Sequence, residues 1–229
     1  MKSKIYFLLL GTLLLVTSCE LDNFNEPDAF LTGSIVYNGE AIPVARNQVR
    51  FELWQSGYDA PAPIDVAIAQ DGSFSSRLFS GDYKLSFLAT EGPFKAPTDT
   101  IYFSLNGNTA KDFEVNPYVM IRNSQFSHAS GVVSGSCSIE QIITGADAKD
   151  VERVTLVINR TQFVDTNSGG EGSLAQVDAD ISDFNNISMS VEIPTDATKP
   201  DQNYIFARIG VKLQGVEDMI YTHVEKVTL

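Results

Sequence analysis

Hydrophobic and polar residues alternate in short segments along most of the chain, and turn residues separate these segments. Alternation with a period of two is typical of β-strands that bury one face, and no amphipathic helical stretch of twelve residues appears. The clearest inward-facing series are Val49, Phe51, Leu53, then Tyr83, Leu85, Phe87, then Ile187, Met189, Val191, Ile193. The pattern therefore predicts an all-β protein.

Seven strands are predicted between residues 30 and 116. Asn38-Gly39, Asp71-Gly72 and Asn106-Gly107 supply the positive φ angles that tight hairpins need. The number and spacing of these strands are typical of a small antiparallel β-sandwich. The predicted strands cover residues 31–37, 48–54, 64–69, 72–79, 82–89, 99–105 and 109–115.

The pattern is interrupted at Asn116-Pro117, since proline has no amide hydrogen to donate to a strand ladder. We therefore predict a domain boundary there, with domains at residues 30–116 and 117–229. The second series predicts another antiparallel sandwich, of immunoglobulin or fibronectin III type. Its predicted strands cover residues 118–125, 130–139, 151–160, 175–181, 186–193, 203–213 and 219–228, with one helical turn at 147–151.

The first eighteen residues form a different kind of segment. Lys2 and Lys4 precede an apolar run over residues 5–16, which suits a secretory signal peptide and is too short to span a bilayer. Val16-Thr17-Ser18-Cys19 then resembles the lipobox of lipoprotein precursors. This resemblance implies cleavage before Cys19, acylation of Cys19 and attachment to a membrane.

Residues 19–29 are acidic, contain one proline and show no periodicity, which predicts a flexible tether. Acidic residues directly after the cysteine resemble the signal that carries Bacteroidetes-type lipoproteins across the outer membrane. The resemblance implies an outer-membrane, lipid-anchored protein that faces the cell exterior.

The charge of the chain restricts its partners. Two of the 16 Lys and Arg residues lie in the signal segment, so 14 remain against 29 Asp and Glu residues, a balance of −15. An acidic protein of this kind is not expected to bind nucleic acid or anionic lipid surfaces. The acyl chains are then the expected membrane contact.

Several segments of the first half carry a family resemblance. Thr32-Gly33-Ser34-Ile35-Val36, Gln70-Asp71-Gly72-Ser73-Phe74 and Gly81-Asp82-Tyr83-Lys84-Leu85 are similar to the prealbumin-like sandwich of carboxypeptidase regulatory domains. With the SCELDNFNEPD opening and the run 204–212, the whole chain resembles a family of two-domain Bacteroidetes lipoproteins of unknown function. Genes of that family commonly lie beside SusC/SusD-like glycan importers. The resemblance implies glycan capture at the cell surface and carries over no catalytic residue.

No motif for catalysis or for a cofactor is present. The two histidines, His128 and His223, lie 95 positions apart and outside any metal-ligand run, and no nucleophile elbow occurs. His223 also has a structural interpretation. A hairpin of the last two strands whose paired positions sum to 433 places Gly210 opposite His223, where an aromatic ring covers the glycine, and Arg208 opposite Glu225. We therefore predict a protein that is not an enzyme and has no cofactor.

Two acidic segments carry side chains that could bind calcium. The run from Asp165 to Gly170 imitates the start of a calcium loop, but Gln176 stands where a bidentate Glu is needed. Asp178, Asp180 and Asp183 could gather oxygens, although carboxylates on a solvated strand face are the more common case. We predict no metal site and leave calcium binding open. Cys137 is predicted to be a buried apolar residue, since it shares a strand face with Val133 and Ile139.

Outward-facing aromatic residues are the remaining candidates for function. Alternation places Trp54 on the outer face of its strand, with Tyr58 in the loop that follows, and Tyr204 with Phe206 forms a second pair. Flat exposed rings can stack on sugar faces, so these four residues are predicted to bind carbohydrate. The alternative is that Trp54 packs under Pro61 and Pro63 or at the domain junction.

The sequence favours a non-catalytic surface lipoprotein that assists glycan import, either by binding carbohydrate or by docking onto SusC/SusD-like proteins. One alternative is a purely structural spacer or adhesin-like element. A second is a small glycan hydrolase, which would need two converging carboxylates that the sequence does not reveal.

Overall fold

The computed structural model describes residues 26–60, 62–89, 91–166, 172–195 and 202–229. The signal segment, Cys19, most of the predicted tether, Pro61 and most of the acidic loop at 165–170 lie outside these ranges. Among the residues described, no helix is long and apolar enough to cross a membrane.

The chain is all-β, as predicted, apart from one 3₁₀ turn at Gly145–Asp147. This turn lies just before the position that the sequence predicted for it. The strands of the first half are β1 Ala29–Tyr37, β2 Glu40–Ala41, β3 Arg50–Gln55, β4 Ile64–Ala67, β5 Ser73–Leu78, β6 Gly81–Phe87, β7 Phe94–Lys95, β8 Ile101–Leu105, β9 Thr109–Ala110, β10 Phe113–Glu114 and β11 Asn116–Pro117. Those of the second half are β12 Val119–Ala129, β13 Val132–Gln141, β14 Val151–Asn159, β15 Ala175–Asp178, β16 Ile187–Glu192, β17 Tyr204–Leu213, β18 Ile220–Tyr221 and β19 Glu225–Thr228.

The first half is a two-layered sandwich. In one layer β1 pairs with β5 and β2 and, in parallel, with β9 and β10; the other has the order β4-β3-β6-β8. Phe51 lies between the layers, with its ring centroid 5.0 Å from that of Phe74 and 5.7 Å from that of Phe113. These edge-on aromatic contacts add to the apolar area that the alternating strands bury.

The second half also has two layers, with strand orders β12-β13-β16 and β15-β14-β17, the latter completed by β18 and β19. Val133, Cys137, Ile187, Met189 and Val191 all face inward and are buried. Opposite them lie the buried residues of β14 and β17. The alternation of β16 predicted this arrangement.

The junction between the halves is itself folded. Asn116–Pro117 pairs with Phe94–Lys95 of the first half, so the predicted break in the pattern forms a short strand there. One continuous cluster of buried hydrophobic residues extends through both halves. The two halves therefore share a core.

The register predicted for the last hairpin is wrong. Gly210 pairs with Tyr221 and not with His223, and Ala207 pairs with Glu225 in place of Arg208. The ladder shifts by one residue between β18 and β19. The reason is local: Thr222 turns its carbonyl toward the Arg208 guanidinium, and its hydroxyl accepts a hydrogen bond from the amide of Ile209.

Candidate functional site

A groove of about 540 Å³ opens where the two halves meet. The first half contributes Glu40 of β2 and the nearby Pro43, and the second half contributes β12 and the segment from β18 to β19. The lining residues are Glu40, Pro43, Met120, Ile121, Ser124, Gln125, Phe126, Ile220, Tyr221, Thr222, His223 and Glu225. The groove therefore lies between the two sandwiches and not within either of them.

A β-bulge shapes the wall of the groove. The pairing of β12 with β13 shifts by one residue between Arg122 and Gln125, and Asn123 adopts φ 53°. Asn tolerates this left-handed conformation better than most residues do, and its amide also donates to the Ser138 hydroxyl at 3.0 Å. Because a bulge turns side chains out of the regular alternation, Ser124 and Gln125 come to line the groove.

The floor of the groove is apolar and its rim is polar. Pro43, Met120, Ile220 and Tyr221 are buried, and Phe126 is half-buried at the border. The exposed rim residues Glu40, Ser124, Gln125, His223 and Glu225 carry hydrogen-bonding groups. This combination can hold a small polar ligand that also has an apolar face.

Arg122 holds one carboxylate of the rim. Its guanidinium contacts Glu40 of the first half at 2.5 Å and Glu140 at 2.7 Å. The hydrogen bond from Arg122 to Glu40 is the main cause that raises the pKa of Arg122, and the hydrogen bond to Glu140 adds to it. Glu40 is therefore engaged in a contact between the halves.

A second depression, of about 410 Å³, continues from the groove and shares Gln125 and Phe126 with it. Serines line it on neighbouring strands, and the hydroxyls of Ser134 and Ser190 are 2.9 Å apart. Small side chains at these outward positions keep the sheet face low beside the groove.

Arg208 lies beneath the groove and binds backbone carbonyls of both halves. Its side chain is fully buried and donates to the carbonyls of Thr222 at 2.8 Å and Val164 at 3.0 Å in the second half. It also donates to Val44 at 3.2 Å and Gln70 at 2.9 Å in the first half. Burial lowers the pKa of Arg208 to about 10, so the group stays cationic at neutral pH.

We call Arg208 and the four carbonyls that it binds the carbonyl clamp. Tyr221 lies between the carbonyl clamp and the groove. The Arg208 guanidinium lies 4.4 Å from the centroid of the Tyr221 ring, and the Tyr221 hydroxyl is 2.9 Å from that of Thr166. The Tyr221 amide donates to the Pro43 carbonyl of the first half at 3.0 Å. The floor is thus held in one position by contacts with both halves.

Two of the predicted sugar-binding residues lie on the outer face of the first half. Trp54 is half-buried, with its indole nitrogen donating to Glu52 at 3.1 Å and the Lys84 ammonium 5.1 Å from its ring centroid. Tyr58 is exposed in the loop after β3. Neither residue lines the groove.

The other two predicted residues, Tyr204 and Phe206, lie side by side on β17. Their ring centroids are 5.5 Å apart, and the Lys226 ammonium lies 3.8 Å from the centroid of the Tyr204 ring. They are also separate from the groove and from the Trp54 pair. The structure therefore brings Tyr204 and Phe206 together but does not bring the four residues into one site.

Of the other candidate residues, Cys137 is buried, and burial raises the pKa of its thiol to about 11. His128 accepts a hydrogen bond from the Gly131 amide at 3.2 Å. Asp178 accepts one from the Thr155 hydroxyl at 2.5 Å. Within the described ranges, no three His, Cys, Asp or Glu side chains form a group that could hold a metal ion.

Sequence reasoning missed most of the groove. Its residues come from segments about eighty or more positions apart, so no local pattern joins them. Two signals were present in the sequence: the bulge-tolerant Asn123-Ser124 pair inside a strand, and an arginine among the apolar residues of β17. Neither identifies a ligand without the tertiary structure.

Both halves match models of one family. Residues 29–116 match the N-terminal domain of a protein of unknown function, DUF3823. Residues 119–226 match the domain of unknown function DUF3823_C. The chain belongs to the DUF3823 family. The prediction of a two-domain family of unknown function is thus confirmed.

Solved DUF3823 structures share this fold. One from Bacteroides ovatus is 32% identical, with a TM-score of 0.77, and the match covers 88% of this chain and 99% of that one. One from Parabacteroides merdae is 30% identical, with a TM-score of 0.78, covering 89% and 100%. No curated protein matches the chain.

A protein from Bacteroides uniformis, described as a candidate carbohydrate binding protein, is 19% identical with a TM-score of 0.69. The match covers 89% of this chain and 100% of that one. At this identity the likeness shows a common fold.

Proposed function

We propose that this DUF3823 protein is a non-catalytic, lipid-anchored protein of the outer-membrane surface that captures carbohydrate for a glycan importer. The observation that carries the binding role is the groove between the halves, with its apolar floor and polar rim. The anchor at Cys19 and the orientation toward the cell exterior rest on the lipobox-like segment and the acidic residues after it. Docking onto SusC/SusD-like proteins rests on the family resemblance.

The shape of the groove supports a saccharide ligand. Its volume of about 540 Å³ lies within the usual range of small-molecule sites. A sugar ring offers one apolar face and a circle of hydroxyls, which Phe126 and the rim groups of Gln125 and His223 can contact. The charge balance makes neutral glycans better ligands than polyanionic ones, since acidic chains would be repelled at low salt.

The Bacteroides uniformis neighbour supports the same proposal, because a candidate carbohydrate binding protein has this two-domain fold. Two further relatives are described only as DUF3823 family proteins. No catalytic family is among these matches.

The groove also argues against a hydrolase. Glu40 and Glu225 both line the rim, and a glycosidase needs two carboxylates that are free to exchange protons and attack the sugar. Glu40 instead pairs with Arg122, at a contact between the halves. This leaves Glu225 as the groove carboxylate that could act on a substrate.

Titration calorimetry of the detergent-purified full chain against neutral polysaccharides tests the proposal. We expect dissociation constants in the micromolar to millimolar range, since a shallow site of this type yields about 4–8 kcal/mol. Gln125→Ala and His223→Ala alter exposed rim residues, and together they should weaken binding about tenfold, which corresponds to about 1.4 kcal/mol. Trp54→Ala is the matched control and should leave the affinity unchanged.

Three results would contradict this assignment. Loss of binding in Trp54→Ala but not in the rim variants would move the site to the outer aromatic face. Failure to bind any glycan, together with copurification of a SusC/SusD-like pair, would favour the structural spacer or docking role. Release of shortened glycan products would favour the hydrolase.

A further inference from the structure

One end of the first half carries a ring of exposed aromatic residues. We call this end the anchor pole and define it by residues 29–30, 54–58, 78–84 and 102–108. Strand pairing brings these segments together: Ala29 pairs with Leu78, Gly81 with Leu105, and Gln55 with Tyr83. Side-chain contacts close the end, since Asn108 accepts a hydrogen bond from the Phe30 amide and Ser80 one from the Gly107 amide.

The aromatic side chains at the anchor pole are large and open to solvent. The exposed fractions are 42% for Phe30, 39% for Phe79, 57% for Tyr58 and 75% for Tyr102. These are four of the six exposed large hydrophobic residues found in the described parts of the chain. Such a concentration at one end of a small domain marks an interaction surface.

Trp54 belongs to the same surface. Trp54 pairs with Lys84 across β3 and β6, and Lys84 pairs with Tyr102 across β6 and β8, so the three side chains form one row on the outer face. The Lys84 ammonium lies 5.1 Å from the Trp54 ring centroid and orients the ring. The row lies three residues from Gly81, the residue at which β6 begins at the pole.

The aromatic residues surround the pole and do not form one flat platform. Phe30 lies on the outer side of the β1 layer, whereas Trp54 and Tyr102 lie on the outer side of the opposite layer. Phe79 lies in the turn from β5 to β6, which joins the two layers, and Tyr58 lies in the loop after β3. A sugar platform would occupy one face, whereas these five residues lie on the outer sides of both layers and in the loops at the end of the domain.

The chain that leads to Cys19 starts from this pole. Glu26 contacts Arg77 of β5 at 3.2 Å, which holds the described start of the chain beside the first residues of β1. Seven peptide units separate Cys19 from Glu26, and they span at most about 25 Å. Acyl chains on Cys19 therefore keep the anchor pole close to the bilayer.

We propose that the anchor pole rests on the membrane, with Trp54, Tyr58, Tyr102, Phe30 and Phe79 in the lipid headgroup region. Trp and Tyr favour this region because one end of the side chain is apolar and the other can hydrogen-bond. The inference rests on the lipid anchor of the proposed function. It adds a second membrane contact, which fixes how the protein stands on the surface.

This orientation sets the height of the groove. Strand β1 begins at the anchor pole with Ala29 and ends near Glu40 at the groove, so its nine residues separate the two by about 30 Å. The groove then lies well above the lipid surface, where a soluble glycan can reach it. The short tether and the membrane contact of the anchor pole together keep the groove at this distance from the lipid.

Trp54 is the one tryptophan of the chain, so its fluorescence reports on this surface alone. The acylated full chain is reconstituted in phosphatidylcholine vesicles, which avoid repulsion between anionic lipid and an acidic protein. We expect a blue shift relative to detergent-free protein lacking the acyl chains, and quenching about twofold or more by lipids that carry a nitroxide near the headgroup. Nitroxides near the bilayer centre should quench less.

Two variants sharpen the test. Tyr58→Ser with Tyr102→Ser removes exposed rings without touching the core, and it should reduce the quenching of Trp54 because the pole tilts away from the lipid. Tyr204→Ser is the matched control, since it removes an aromatic ring on the second half, and it should leave the quenching unchanged.

The outcomes separate this inference from the proposed anchor. Flotation of the protein with vesicles and no quenching of Trp54 would overturn the membrane contact while the anchor stands. No flotation, with an unmodified Cys19 by mass spectrometry, would overturn both. A Trp54 response to glycan and none to vesicles would assign the aromatic ring to carbohydrate binding.

Discussion

At the scale of single residues, Arg208 does the most to join the two halves. It is fully buried and bonds four backbone carbonyls, two in each half. Backbone carbonyls cannot be removed by mutation, so loss of the guanidinium leaves them buried without donors. This differs from a buried ion pair, which apolar residues can often replace at little cost.

Arg208→Met should therefore be strongly destabilising. The substitution keeps most of the side-chain volume but removes every hydrogen-bond donor. Because each unsatisfied buried carbonyl costs about 1–3 kcal/mol, we expect the free energy of unfolding, measured in urea, to fall by more than about 3 kcal/mol. Arg153→Met, on the neighbouring strand with a half-exposed side chain, should change stability by about 0.5 kcal/mol or less. Equal effects of the two substitutions would show that the carbonyl clamp does not hold the halves together.

At the scale of secondary-structure elements, the sequence predicted nearly every long strand but not the register of the last hairpin. Alternation identifies which residues of a strand face inward, because it depends only on the chain itself. Register depends on the turn and on the neighbours. Here Tyr221, 3% exposed, covers Gly210, and a Cβ atom on Gly210 would lie 2.6 Å from the Tyr221 ring.

The two registers make opposite predictions for Tyr221 and His223. Tyr221→Ala should cost about 3–5 kcal/mol, because it opens a cavity over Gly210 and removes the ring that packs on Arg208. His223→Ala should cost about 0.5 kcal/mol or less, since the side chain is exposed on the groove rim. Thermal unfolding of both variants measures the difference. A large loss in His223→Ala alone would support the register predicted from the sequence.

At the scale of the whole molecule, the two halves behave as one structural unit because their core is continuous and several hydrogen bonds cross between them. One of these is from the Gly92 amide to the buried Asp218 carboxylate, at 2.8 Å. Burial raises the pKa of Asp218. The folded protein thus favours the protonated form of this group more than the unfolded chain does.

This linkage predicts a pH-dependent effect of Asp218→Asn. A raised folded pKa means that the contribution of Asp218 to stability falls as the pH rises from about 4 through the folded pKa. The neutral variant lacks this fall, so its stability should improve relative to the parent between pH 4 and pH 7 in urea titrations. A constant difference between the two proteins would refute the linkage.

Asp147→Asn provides a control of opposite sign. The hydrogen bond and charge of Lys95 lower the pKa of Asp147, so its contribution is present at neutral pH and is lost in acid. Because Asp147 is exposed, the effect is small. The stability of Asp147→Asn should fall slightly relative to that of the parent as the pH rises, and added salt should reduce this difference.

The sequence by itself determined the all-β class, the positions of most strands and the inward residues, including Cys137. These features follow from alternation and turn chemistry, which act over a few neighbouring residues. It also contains the lipobox-like segment before Cys19, on which the proposed lipid anchor rests.

Only the tertiary structure decided where the groove lies, why Arg208 is buried and which aromatic residues share a surface. The groove joins residues from Glu40 to Glu225, and the anchor pole joins segments from Phe30 to Asn108. Such long-range contacts depend on how layers stack and how strands pair, and many pairings satisfy the same alternation. Trp54 shows the limit: its outward direction follows from period two, but its neighbours Lys84 and Tyr102 follow from pairing.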